Sequence, residues 1–256
     1  TAKNAGGTEM PFDYEQFIDA ENGMNLVLTI DEVIQHYAEK YLKEAVIENN
    51  AVKGGAALVL NVKTGEILAL SNIPDYNLNS PFDISDEAVK AAILAAATDE
   101  DKSKLRSDYL NNLWRNKVVS DTYEPGSTFK TITAAIGLEE GSVSINNSFN
   151  CPGYYRVGDR IVKCWKRGGH GHETFVDGLS NSCNVVFMQV GLGIGANTFY
   201  QYNTAFGFRE KTGIDLPGEA TGVLHSQQTL QNVVSLATAS FGQTFRVTPI
   251  QMLTAV

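Results

Sequence analysis

A serine three residues before a lysine, at the head of an apolar run, constrains this chain more than any other feature. The pattern occurs once, in Glu124-Pro125-Gly126-Ser127-Thr128-Phe129-Lys130. Pro125 and Gly126 make a turn, and Thr131-Ile132-Thr133-Ala134-Ala135-Ile136 reads as a helix beginning at or near Ser127. Residues three apart share one helix face, so the lysine amine is expected beside the serine hydroxyl, near the positive end of a helix dipole. A serine is a poor nucleophile until a neighbour takes its proton, and Lys130 is the candidate base. The bland alternative is a capping serine followed by a solvated lysine.

At 256 residues the chain can bury one sizeable core, or one domain with a smaller lobe. No apolar stretch approaches the roughly 20 residues that span a bilayer. The chain opens on Thr1 without a signal peptide, so a piece of something longer is expected. A net charge of -9 with no basic cluster argues against nucleic acid and against an anionic membrane surface as the main partner. Three cysteines cannot all pair within the chain.

Residues 1–24 are polar and glycine-rich and read as an entry segment or linker, followed by one domain over 25–256. Leu26 to Ile30 reads as a strand, and Thr29-x-x-Glu32 as a capping box before a helix with apolar positions Ile34, Tyr37, Ala38, Tyr41, Leu42, Ala45 and Val46. His36 falls on its polar side. Ala57–Val62 and Glu66–Leu70 form a hairpin about Gly65, and 84–118 is helical. Tyr154 to Cys164 reads as a second hairpin about Gly158-Asp159, and Gln228 to Ser240 as a helix. Thr248-Pro249-Ile250-Gln251 starts a last helix, with a threonine cap, proline first and glutamine third.

A second polar triplet, Ser182-Cys183-Asn184, opens the apolar run Val185-Val186-Phe187-Met188. The S-x-N pattern is weak alone, since Ser144-Ile145-Asn146 and Ser148-Phe149-Asn150 also fit it. Only the copy at Ser182 leads an apolar helix, 55 residues after Ser127. Ser-x-x-Lys with Ser-x-Asn is the motif pair of penicillin-binding proteins and serine β-lactamases. From about residue 25 the chain resembles the transpeptidase domain of class B penicillin-binding proteins. Asn25 to Asp31, Glu124 to Lys130, Thr212 to Glu219 and Gly242 to Gln251 carry that likeness, which leans toward the sporulation and division enzymes of Gram-positive bacteria.

The resemblance implies an α/β (α+β) fold: an antiparallel sheet with segments near Val27, Ala57–Val62 and Glu66–Leu70, flanked by helices, plus a helical lobe holding Ser127. It implies acyl transfer between peptidoglycan stem peptides, in which Ser127 attacks the penultimate D-alanine carbonyl. Lys130 is then general base, Ser182 a proton relay and Asn184 the clamp on the substrate amide. β-Lactam antibiotics would acylate Ser127. The resemblance further implies an extracytoplasmic position at the cell membrane, a membrane glycosyltransferase partner and no organic cofactor. A class D β-lactamase and a β-lactam sensor domain are the alternatives. The family's third motif, K-T-G, belongs on a cleft-edging strand. Lys63-Thr64-Gly65 is a hairpin turn and Lys211-Thr212-Gly213 runs into Pro217, so the working copy is expected beyond Val256.

Cys151, Cys164, His170 and Cys183 bracket the second hairpin and end inside the S-x-N triplet. The hairpin register sets Cys164 opposite Gly153 and so brings Cys151 near it. Thiolate and imidazole are the ligands zinc prefers, although the spacing matches no common zinc finger. It resembles instead the metal site of some elongation-type class B enzymes, where acids hold two of the positions. A structural Zn2+ on these four residues, with His172 able to replace His170, stands against a Cys151–Cys164 disulfide or free buried thiols.

Overall fold

The computed structural model describes residues 22–256. Most of the expected entry segment, residues 1–21, lies outside them. The first helix, α1 (Glu32–Glu48), is capped by Asp31, whose side chain accepts from the N–H groups of Val33 and Ile34 at 3.0 Å each. The cap is therefore Asp31 and not Thr29. Thr29 donates instead to the Ile67 carbonyl at 2.6 Å, and Asp31 N–H to that of Leu68 at 2.9 Å. Leu26, Val27 and Leu28 are exposed and outside any strand, which corrects the expected strand and with it Val27 as a sheet residue.

The expected first hairpin is present as β1 (Gly55–Leu60) and β2 (Ile67–Ile73), antiparallel with Leu58 opposite Leu70. The half-buried face of α1, Ile34, Ala38, Leu42 and Val46, packs on this pair, while Tyr37 and Tyr41 remain exposed. The helical stretch resolves into α2 (Glu87–Ala95), α3 (Asp99–Leu113) and the short α4 (Lys117–Ser120).

A 3-10 turn over Gly126–Phe129 runs directly into α5 (Lys130–Glu139). Next come β3 (Ser148–Cys151), the hairpin β4 (Tyr154–Val157) and β5 (Arg160–Lys163), and β6 (Gly171–Thr174), which pairs back with β3. Cys164 N–H donates to the Gly153 carbonyl at 2.9 Å, the register expected of that hairpin. Helices α6 (Phe175–Ser180) and α7 (Asn184–Ile194) are joined by the S-x-N segment. Then follow α8 (Ala196–Ala205), α9 (Gln227–Leu230), α10 (Val233–Ala239) and α11 (Pro249–Ala255). The single helix expected over 228–240 is two, because Asn232 caps α10 by accepting from Val234 and Ser235 N–H.

The fold is thus mixed α/β with antiparallel pairing, as expected. Among the described residues, however, the strands divide among three two-stranded sheets, β1-β2, β3-β6 and β4-β5, and no wider sheet joins them. The main core gathers Phe129 of the 3-10 turn and Ile132 and Ile136 of α5 with Val186, Phe187 and Val190 of α7 and Phe199, Phe208, Leu236 and Phe245, all buried. A smaller cluster of Val118, Val119 and Ile250 meets Leu58, Ile67 and Leu70 of the first hairpin. No described helix is long and apolar enough to cross a membrane.

Candidate active site

Ser127 sits in the 3-10 turn and Lys130 at the first position of α5. In a 3-10 turn residues i and i+3 eclipse, so the two side chains lie side by side. Lys130 Nζ stands 3.3 Å from Ser127 Oγ, 3.0 Å from Ser182 Oγ, 2.6 Å from the Ser182 carbonyl and 2.8 Å from Asn184 Oδ1. The four residues singled out in the sequence meet at this nitrogen. Lys130 is 1% exposed, and burial pushes its amine down to about 8, against the opposing pull of the Cys164 and Cys183 sulfurs. A neutral amine has two protons to donate, here to the Ser182 carbonyl and Asn184, and one lone pair free to take the Ser127 proton.

Ser182 owes its place to the end of α6. Cys183 N–H reaches back to the Gly178 carbonyl at 2.8 Å and Ser182 N–H to that of Leu179 at 3.0 Å, the two bonds of a Schellman motif. That motif requires a left-handed residue after the cap, usually glycine, and here Ser182 takes it with φ +52°. A serine held in this strained conformation points to a need for its hydroxyl.

The turn carrying Ser127 is locked from the other side. Gly126 N–H donates to the Gly242 carbonyl at 2.8 Å, and Tyr123 and Val247 exchange bonds of 2.9 and 3.0 Å. A Cβ on Gly242 would fall 2.0 Å from the Gly126 carbonyl oxygen, so the approach depends on glycine there. Ser127, Ser182 and Asn184 open on a cleft whose lining also includes Trp165, Phe241 and Gln243. The sequence reading did not single out these three. Trp165 donates its indole N–H to the Asn181 and Ser182 carbonyls at 3.1 Å each; its signal was its place directly after a candidate metal ligand.

Neither K-T-G copy lines this cleft. Lys63 to Gly65 turns the first hairpin, with Gly65 N–H bonded to the Asn61 carbonyl at 2.8 Å. Thr212 and Gly213 close a loop on the Glu219 carboxylate, Thr212 N–H and Oγ1 both at 2.6 Å and Gly213 N–H at 3.2 Å.

Cys151, Cys164, His170 and Cys183 come together behind the S-x-N segment, with one donor atom of each within 4.8 Å of the others. A tetrahedral zinc with sulfur ligands at 2.3 Å sets sulfurs about 3.8 Å apart, so a small contraction would close the set. All three thiols are free and buried. Burial would raise the Cys164 thiol, but backbone N–H groups of Lys166, Asn184 and Val185 outweigh it and lower it. Burial pushes the Cys183 thiol up. His172 faces outward and lies 3.1 Å from the Phe149 carbonyl, away from the cluster. The donor set fits a thiophilic ion, and His170 is the histidine that belongs to it.

Residues 55–256 match the family model described as the penicillin binding protein transpeptidase domain. Stage V sporulation protein D of Bacillus subtilis is 36% identical over 99% of this chain and 35% of its own length. The peptidoglycan D,D-transpeptidase FtsI of Escherichia coli K12 is 31% identical over 91% of this chain and 35% of its own. The chain thus spans about a third of the length of these curated relatives. Among solved structures, a peptidoglycan glycosyltransferase from Burkholderia ambifaria superposes with a TM-score of 0.70 at 25% identity, covering 90% of this chain and 60% of that one. A Helicobacter pylori penicillin-binding protein gives 0.66 at 27% identity over 88% and 40%. With the Ser127–Lys130 and Ser182–Asn184 pairs converging on one cleft, these matches make the chain a member of the penicillin-binding protein transpeptidase domain family.

Proposed function

We propose that residues 25–256 belong to the catalytic domain of a serine D,D-transpeptidase that cross-links peptidoglycan stem peptides, and that Ser127 is its nucleophile. The observation that carries the reading is the convergence of Ser127, Ser182 and Asn184 on one buried lysine amine. Lys130 takes the hydroxyl proton as Ser127 Oγ bonds to the penultimate D-alanine carbonyl. The terminal D-alanine leaves as its amine receives a proton through Ser182, while Asn184 holds the substrate amide. An amine of a neighbouring stem then attacks the ester, its proton passes to Lys130, and Ser127 regains its own. A β-lactam meets the same nucleophile and leaves an acyl group on it.

The same reading gives the domain an extracytoplasmic position at the cell membrane and a glycosyltransferase as working partner. It also gives the cysteine and histidine cluster a structural Zn2+, held by Cys151, Cys164, His170 and Cys183, which would fix the hairpin β4-β5 against the S-x-N segment. Zinc there supplies cross-linking of the fold and takes no part in the acyl transfer.

A fluorescent penicillin is expected to label the protein at Ser127, and Ser127→Ala to abolish labelling. Labelling that persists on another serine would sink the assignment. Slow deacylation with turnover of D-Ala-D-Ala peptides is the expected kinetic pattern. Fast deacylation would make the protein a β-lactamase, and a permanent acyl-enzyme without peptide turnover a sensor.

A further inference from the structure

Beside the cluster lies a carboxylate that breaks the pattern of its own strand. Along β6, Gly171, His172 and Thr174 are exposed while Glu173 turns inward, its side chain 3% exposed. An inward glutamate on a short strand contradicts the rule that fills such positions with apolar residues, and violations of that kind gather at functional sites. Glu173 Oε2 accepts from Asn181 Nδ2 at 3.3 Å. Its other oxygen, Oε1, is buried without a hydrogen-bond partner and stands 3.9 Å from His170 Nδ1. The same Nδ1 stands 3.8 Å from Cys164 Sγ, while His170 Nε2 is buried and unpartnered.

A carboxylate removed from water and left without a cation costs several kcal/mol. Two orphaned atoms on neighbouring side chains, one an acceptor and one a ring nitrogen, suggest a common cause. A ligating histidine ordinarily donates its second ring N–H to a carboxylate or carbonyl, which fixes its tautomer and its aim. The register of β3 with β6 supplies the rigidity, since Cys151 lies opposite Gly171 and Phe149 opposite Glu173. One strand pair thus carries both a candidate ligand and the carboxylate.

We propose that Glu173 is a positioning residue of the metal centre. Its carboxylate accepts the N–H of the His170 ring nitrogen that does not bind the ion, and so sets which nitrogen faces it. Through Asn181, the residue before Ser182, it also ties the centre to the catalytic segment. The proposal rests on reading Cys151, Cys164, His170 and Cys183 as a metal site, and it adds a fifth residue that binds no metal itself.

The test is zinc affinity, measured by competition with a chromophoric chelator. Glu173→Gln should retain a stoichiometric site but bind zinc about 10- to 100-fold more weakly, with Glu173→Asp recovering part of the loss. Zinc affinity of Glu173→Gln within about twofold of wild type would overturn the proposal while leaving the metal site standing. A wild-type protein that binds no zinc at all would remove both. Should the variants fail to fold, nitrogen NMR of the zinc-loaded wild type decides alone. It should report the ring N–H of His170 that faces away from the metal hydrogen-bonded to the Glu173 carboxylate, and a ring N–H without that bond refutes the proposal.

Discussion

Lys130 concentrates the chemistry because its amine is buried and yet surrounded by oxygens. Desolvation brings it down to about 8, so an appreciable fraction is neutral near physiological pH, where a free lysine would be almost wholly charged. The base form is the deprotonated one, so acylation should speed up as pH rises, falling about tenfold per unit below about pH 8 and levelling above it. Rates of penicillin acylation between pH 6 and 9 check this, and a flat profile would mean that another group takes the proton. Lys130→Ala should slow acylation by roughly two to four orders of magnitude. Ser182 makes the complementary case. Its left-handed backbone costs about 1 kcal/mol that glycine would not incur. Ser182→Gly keeps the Schellman turn and the carbonyl that Lys130 and Trp165 hold, but removes the hydroxyl. It should match or exceed wild-type thermal stability while acylating at least about a hundredfold more slowly. Loss of stability with activity intact would show that the serine serves the turn.

The elements matter here through how they hold two short turns together. The 3-10 turn bearing Ser127 touches the Gly242 turn backbone to backbone, with no side chain between. Gly242→Ala would place a Cβ 2.0 Å from a carbonyl oxygen at a position with φ +82°. The expected cost is about 2 kcal/mol or more in urea unfolding, with slower penicillin labelling as the Ser127 turn shifts. Normal labelling in a stable Gly242→Ala protein would mean that the two turns are independent. Elements set by local chemistry were legible beforehand: the Thr248-Pro249-Gln251 capping box is present as read, as are both hairpin turns and the helix that Asn184 opens. What escaped were features decided by distant partners. Leu26 to Ile30 has the composition of a strand, but β2 meets this stretch through the Thr29 hydroxyl and the Asp31 N–H just after it, and among the described residues no ladder forms. The motif Ser-x-x-Lys carries the proposed nucleophile and base in sequence, whereas Trp165 reaches the cleft, and Glu173 the Asn181 side chain, through folds of the chain that no periodicity announces.

Across the whole molecule, the Cys and His cluster and the catalytic cleft share one piece of backbone. Cys183 stands between Ser182 and Asn184, and Trp165, next to Cys164, holds the Asn181 and Ser182 carbonyls and lies edge-on to His170, 5.4 Å between ring centres. Without an ion, the cluster leaves three buried thiols and an unpartnered imidazole nitrogen, a poor use of core volume. With one, the binding free energy becomes folding free energy, and the need for deprotonated thiols makes it strongest toward higher pH. Elemental analysis should therefore give about one zinc per chain, and chelation should lower the unfolding temperature and slow penicillin acylation together. Cys183→Ser should do both without chelator. His36→Ala is the control, since His36 lies exposed on α1 away from the cluster, and it should change neither. A fall in stability with acylation untouched would mean that the cluster braces the hairpins alone. Full activity and stability after metal removal would leave the three cysteines as ordinary buried residues and detach the cluster from catalysis altogether.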